Sequence, residues 1–428
     1  MSIFSEVKVN LPNGEQAQFI ATSHTTVNPL LAVATNTRVL FYNDSGEKLD
    51  IEINRNLTPT AMAWHPVYSV LAVGWQNGLI TLWNGENNTT REDANLHKAP
   101  IINITFNPNG HRMVTCDDKG TVGVWRNITL MCSYQKTGAI THCIFCDLQL
   151  DRDKEKENKE ERKDGREHAK DPLKDKKKTQ NLFFFGGKAG IVCVADDSNH
   201  ITEVCKVSGA VKSLFFYEKM NSMIIITSTF LLVQFRISLT EKSQHDKKVR
   251  LSTTGEADQL SSMWVGQSLV ATVCAENLLR AWHLEKDESY VLTLAEAADA
   301  NKGENLMHDK ILCVNYDERN KLLCAGTKAG YGVFWKNMLP GNDSPSDNDQ
   351  WKVLPLLKLG SDPVTQVQVG KGSSLVAFKY GSGISIVYET QIRGRVMENV
   401  KALQVSSKLI QLHLKGDYGT QVIRVILL

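Results

Sequence analysis

A unit ending in tryptophan, MAWHPVYSVLAVGWQNGLITLWN at residues 62–84, recurs along this chain, and a recurring unit limits the fold more than any single motif can. Residues 70–74 and 79–83 are β-rich apolar runs. The Asn77-Gly78 between them is the pair that a tight hairpin with positive φ angles prefers. Residues 61–64 form another short apolar stretch, which stops at His65-Pro66, where the proline ring removes a donor and forces a turn. Three antiparallel strands of this size cannot bury a core alone, so the unit needs neighbours.

Those neighbours are in the chain. The pattern returns at residues 102–125, 214–235, 261–282 and 312–335, with weaker copies at 19–42, around 182–194 and at 364–388. The closing aromatics Tyr42, Trp83 and Trp125 stand about one propeller blade apart, which is roughly 40 to 45 residues. From Trp125 to Val194 is too far for one blade, but DRDKEKENKEERKDGREHAKDPLKDKKK (151–178) lies between and is almost without apolar residues. Such a run cannot offset the entropy of ordering, so residues 151–180 are expected to be a disordered charged insertion. The resulting expectation is an all-β chain. Residues 1–362 form a seven-bladed β-propeller closed by pairing of residues 5–9 into its last blade, and residues 363–428 begin a second, incomplete propeller.

Composition narrows the class. At 42% hydrophobic residues the chain can bury a large core. Its longest apolar run, MIIITSTFLLVQF (223–235), is too short to span a bilayer and reads as two paired strands, so no direct membrane span is expected. The start, MSIFSEVKVNLPNGE, lacks the basic region, apolar stretch and cleavage site of a secretory signal, which predicts an intracellular protein. Nine scattered cysteines fit small core residues in a reducing compartment. Triplets such as Asn56-Leu57-Thr58 and Asn103-Ile104-Thr105 would then not be glycosylated.

Charge argues against a nucleic-acid platform. Of 49 Lys plus Arg and 47 Asp plus Glu, residues 151–178 hold 12 and 10, which leaves the remainder balanced, whereas phosphate binding needs a basic surplus. The Lys174-Asp175-Lys176-Lys177-Lys178 run reads as a solvated loop in preference to a nuclear localisation signal.

Candidate chemistry is sparse. Cys143 and Cys146 form a C-x-x-C beside His142, but there is no second pair at ligand spacing, and residues three apart on a strand face opposite sides. No G-x-S-x-G elbow, G-x-G-x-x-G loop or phosphate-binding P-loop occurs. His97 and the other scattered histidines read as turn-stabilising. The expectation is therefore a non-enzyme with no catalytic, cofactor-binding or metal-ligating residues. Partner-contact residues are unknown at this level. Trp75, just before the Asn77-Gly78 turn, is a candidate anchor whose competing reading is core.

The units resemble WD repeats. His97, Phe106, Pro108, Gly110, Thr115 and Trp125 stand where that family places its loop histidine, first-strand apolar residue, turn, hydroxyl and closing tryptophan. The family's turn aspartate, sought six residues before the tryptophan, is here Asn77, Lys119, Glu276 or Ala329, so the buried His-Ser/Thr-Trp-Asp network is expected to be incomplete in each Trp-ended blade. WHPVYSVLAVGWQNG, THCIF and VNYDERNKLLCAGTKAGYGVFW further resemble the amino-terminal propellers of the one-forty-subunit family of intraflagellar transport complex A.

That resemblance implies a WD40-like scaffold subunit acting in retrograde ciliary transport, cilium assembly and entry of membrane cargo into cilia. The implied partners are other complex A subunits and a ciliary membrane-cargo adaptor, and the implied location is the cilium, the ciliary base and the cytoplasm. In that family two propellers precede a helical repeat region; none is evident here, so the chain reads as a fragment or truncated form. The alternative is a WD-repeat recognition module unrelated to cilia, either a substrate receptor or a reader of RNA or histone tails.

Overall fold

The structure, a computed structural model, describes residues 2–12, 14–146, 182–237, 244–300, 306, 308–341, 343–370, 375–391, 394–397, 400–406, 409–416 and 419–426. The charged stretch at 151–180 lies outside the described residues. Short antiparallel strands dominate the described residues, with one short α-helix, Leu294–Ala300, and single 3-10 turns at Glu218–Met220, Ala257–Gln259 and Asn348–Gln350. They form eight blades of a β-propeller, each a meander of four main strands, and a ninth sheet over residues 394–426.

In chain order the first seven blades occupy residues 19–54, 59–93, 101–135, 140–206, 211–250, 261–293 and 311–358. The eighth contains Val364–Val369, Val376–Tyr380 and Gly383–Gln391, and its outer strand is the N-terminal Ser2–Val9. Ser2 pairs with Gln391 and Val9 with Ile384 in an unbroken antiparallel register. The expected N-terminal pairing therefore exists, but the count of seven is corrected to eight. Residues 364–391, assigned from sequence to a second propeller, share a sheet with the N-terminus, because Ser2–Val9 supplies the outer strand that this three-stranded meander lacks.

The chain divides into two compact units. One, residues 60–66 and 70–253, holds most of the second blade and the third, fourth and fifth blades. Its cores lie between blades. Phe183 and Phe185 of the fourth blade pack with Val114 and Val124 of the third, while Phe184 packs on the other side with Ile225 and Val233 of the fifth. This is the period-2 pattern of a strand buried on both faces, and each fully buried side chain of this size contributes about 1.5–3 kcal/mol. The inner strands are also tied by side chains: Asn103 Nδ2 donates to the Thr141 carbonyl at 3.2 Å, and Thr141 Oγ1 to the Val211 carbonyl at 2.9 Å.

The other unit, residues 1–59, 67–69 and 254–428, holds the first, sixth, seventh and eighth blades and the ninth sheet. Gln366 of the eighth blade grips the first blade with both ends of its amide: Oε1 accepts from Ile20 N and Nε2 donates to Ile20 O, each at 2.9 Å. Close packing needs glycine on the second strand. A Cβ at Gly326 would lie 2.7 Å from Val364 Cβ, and one at Gly74 in the first-described unit 2.4 Å from Ile101 Cβ, so only glycine admits the next blade's β-branched residue.

The third strand of several blades carries the closing aromatic opposite the start of the second. Trp83 faces Leu71, Trp125 faces Met113, Phe235 faces Met223 and Trp335 faces Leu323. The apolar frame read from the repeats is thus a register of the sheets.

Candidate functional site

The third blade holds a buried polar chain at its upper turn. Trp125 Nε1 donates to Thr115 Oγ1 at 2.8 Å, Thr115 Oγ1 and His97 Nε2 are 2.8 Å apart, and His97 Nδ1 meets Asp117 Oδ2 at 3.0 Å. With Nδ1 donating to the carboxylate, Nε2 accepts the threonine proton, and every member is satisfied. Asp117 Oδ1 also accepts the backbone N–H groups of Lys119 and Thr121, at 3.0 and 2.8 Å. Burial pushes the Asp117 carboxyl up, but hydrogen bonds from His97 and Thr121 outweigh it and hold the group below its usual range. Burial lowers His97 despite the opposing pull of Asp117.

This corrects the expectation that the network is incomplete in every Trp-ended blade. The acid is Asp117, the first residue of the Asp117-Asp118-Lys119-Gly120 turn; Lys119, the position read as its replacement, sits at the turn tip. Elsewhere the pattern is partial. Trp282 Nε1 reaches Thr272 Oγ1 at 3.1 Å, while Trp335 Nε1 is buried with no hydrogen-bond partner.

The fixed turn forms one wall of a cleft of about 480 Å³ between the third and fourth blades. Gln135 Nε2 donates to the Lys119 carbonyl at 3.0 Å and Lys136 N to the Gly120 carbonyl at 2.9 Å, which holds the exit from the third blade against its own turn. Ile140, Phe185 and Ile191 give the cleft an apolar lining, and Lys119, Lys136 and Glu203 supply charge. Cys193 is the thiol there; burial raises it, against a downward pull from Lys136, so it is not a ready nucleophile. An apolar lining beside separate ammonium and carboxylate groups suits the binding of a chain segment better than bond-making chemistry.

The residues singled out from sequence are placed apart. Trp75 is fully buried and its Nε1 donates to Thr81 Oγ1 at 2.9 Å, so it is a core residue and no partner anchor. Cys143 packs with Phe183 and Phe185, Cys146 with Phe184, on opposite sides of one strand. His142 beside them is pushed down to about 4, by burial first and then by the Lys212 charge. The cleft itself was missed, because its lining comes from residues 119 to 203, across two blades and the charged stretch. The only signal available was the turn Asp117-Asp118-Lys119-Gly120, which fixes its wall.

The IFT140 first beta-propeller family matches residues 2–390. The chain belongs to that family. The matched span ends with the eighth blade and excludes the ninth sheet. Among the solved structures that share the fold are two of low sequence identity. The C-terminal WD40 domain of Sif2 superposes with a TM-score of 0.62 at 13% identity, covering 90% of this chain and 99% of that one. The computationally designed Ika8 protein gives 0.58 at 14% identity, covering 90% and 100%. At such identity these likenesses concern the fold alone. Family membership places the chain among the scaffold propellers of intraflagellar transport. Among the described residues no helix is long and apolar enough to cross a membrane.

Proposed function

We propose that this propeller is a non-enzymatic scaffold module of intraflagellar transport complex A, serving retrograde ciliary transport, cilium assembly and entry of membrane cargo. The observation that carries the reading is the family match across residues 2–390, all eight blades. Its partners on this reading are other complex A subunits and a ciliary membrane-cargo adaptor, and its location is the cilium, ciliary base and cytoplasm. The cleft between the third and fourth blades supports binding as its mode of action. Residues 394–426, a separate meander outside the family match, are proposed as the first blade of a second propeller.

The test is to express this chain in cells lacking the endogenous subunit and to score cilia and co-purifying proteins. Location at cilia or their base with recovery of complex A subunits is expected. Nuclear accumulation with chromatin or RNA would overturn the proposal in favour of a recognition module.

A further inference from the structure

Between the strands Tyr331–Asn337 and Trp351–Val353 the seventh blade sends out a strap, residues 343–350, that lies on the sixth blade. One hydroxyl latches it. Ser344 Oγ accepts the consecutive N–H groups of Gln267 and Ser268, each at 2.9 Å, and donates to the Val265 carbonyl at 3.2 Å. These three residues border the turn joining Ser261–Val265 to Leu269–Val273. Further bonds flank the latch: Tyr290 donates its hydroxyl to the Pro345 carbonyl at 3.0 Å, and Asn337 Nδ2 to the Asp343 carbonyl at 2.9 Å. Ser344 is half-buried and Pro345 buried, while Asp343, Asp347, Asn348 and Asp349 are exposed.

A serine directly followed by proline is the substrate chemistry of proline-directed serine kinases. We propose that Ser344 is a phosphorylation site for such a kinase and that its modification unlatches the strap. The γ-phosphoryl group of ATP moves to Ser344 Oγ, the bond to the β-phosphate breaks, ADP leaves, and the hydroxyl proton passes to the kinase's base. The product oxygen has no proton left for Val265. Its new charge also faces the Val265 carbonyl, with the Asp343 and Asp347 carboxylates flanking it in sequence. Because Pro345 is buried in the latched state, the kinase acts on chains whose strap has lifted, and the rate follows the lifted fraction.

The experiment uses the full chain, a purified proline-directed kinase and ATP, with phosphosites located by mass spectrometry. Ser344 is expected to be labelled, Ser344→Ala to lose that label, and Ser344→Thr, which keeps the hydroxyl, to retain labelling at the site. Ser346→Ala should leave Ser344 labelling intact. Tyr290→Phe removes the bond to the Pro345 carbonyl and the acceptor of Trp351 Nε1 where the strap ends, and should speed Ser344 labelling about fivefold or more. After phosphorylation, hydrogen exchange at the Gln267 and Ser268 amides should accelerate. Labelling confined to other serines overturns the site assignment, and an equal rate in wild type and Tyr290→Phe overturns the requirement that the strap lift before the kinase acts. Slower exchange at those amides would mean that the phosphate stays docked on them, and overturns the unlatching.

Discussion

In the third blade Trp125 donates its indole N–H to Thr115 and the chain of bonds runs on to His97 and Asp117; in the seventh, Trp335 stands at the same register with no acceptor. The cause is local. Ala325 occupies the position of Thr115 and Thr327 that of Asp117. The seventh blade is nonetheless fully packed, with Leu323, Ala325, Val333 and Trp335 all buried. It is tied to its neighbour by other means: Phe4 stacks on Phe334 at 3.9 Å, and Lys336 Nζ reaches both Glu389 oxygens at 2.8 and 2.7 Å. The apolar frame is therefore enough to form a blade, and the polar chain is a local reinforcement of one turn, the turn that walls the cleft.

The comparison breaks most readily at the acid. Asp117→Ala leaves His97 Nδ1 and the N–H groups of Lys119 and Thr121 without their acceptor. The stranded His97 donor is buried and costs about 1–3 kcal/mol, and the two part-buried turn N–H groups add less each, so a loss of about 3 kcal/mol is expected. Thr327→Ala in the seventh blade removes only an acceptor for Tyr331 N and should cost about 1 kcal/mol. Urea unfolding of both variants measures the difference, and equal losses would show that the network adds nothing beyond packing.

How much of this was legible depends on where the partner residues sit in sequence. The Trp-ended hairpins could be read because both strands lie within one short window, as with Met113 and Trp125. The eighth blade was misassigned because its outer strand comes from the opposite end of the chain, Ser2 against Gln391, and its own hairpin lacks a closing tryptophan. The tetrad was misread for a different reason: an offset counted from Trp125 lands on Lys119, whereas the physical requirement is a carboxylate at the start of the turn, where it meets both the turn's N–H groups and His97. The propeller class followed from apolar periodicity, whereas the eighth blade and the site rest on contacts that periodicity does not encode.

Acid should separate the two kinds of stabilisation next. Burial lowers His65, His97, His142 and His283 in the folded protein, His142 to about 4. Below about pH 6.5 the unfolded chain takes up protons on these rings and the folded chain resists, so stability falls as pH drops through that value. Asp117, held low when folded, acts in the same direction further down, its contribution present above about pH 3.9 and lost as pH falls through the folded value. Melting temperature is expected to drop between pH 6.5 and 4, and His142→Gln to flatten part of that slope. An unchanged slope in this variant would remove His142 from the account.

Indole N–H groups give a finer test. Trp125→Phe loses a satisfied buried hydrogen bond, while Trp335→Phe removes a donor that has no partner. Both changes lose similar apolar volume. The third-blade variant should therefore be less stable than the seventh-blade one by about 1–2 kcal/mol in matched denaturant titrations. Equal losses would mean that the indole bond to Thr115 contributes nothing net.

The smallest effect comes from supplying what the seventh blade lacks. Ala325→Ser places a hydroxyl at the register from which Thr115 serves Trp125, and it is expected to stabilise the protein by at most about 1 kcal/mol. Crowding is the competing term, since Val333 stands opposite Ala325, whereas Gly123 stands opposite Thr115. The sixth blade decides between them. There Arg280 occupies the position opposite Thr272, and Trp282 Nε1 still reaches the hydroxyl at 3.1 Å. A side chain at that register therefore leaves the path from indole to hydroxyl open, and a serine at 325 should find Trp335. A loss of more than about 1 kcal/mol in the Ala325→Ser variant would show instead that the added hydroxyl is buried without a partner.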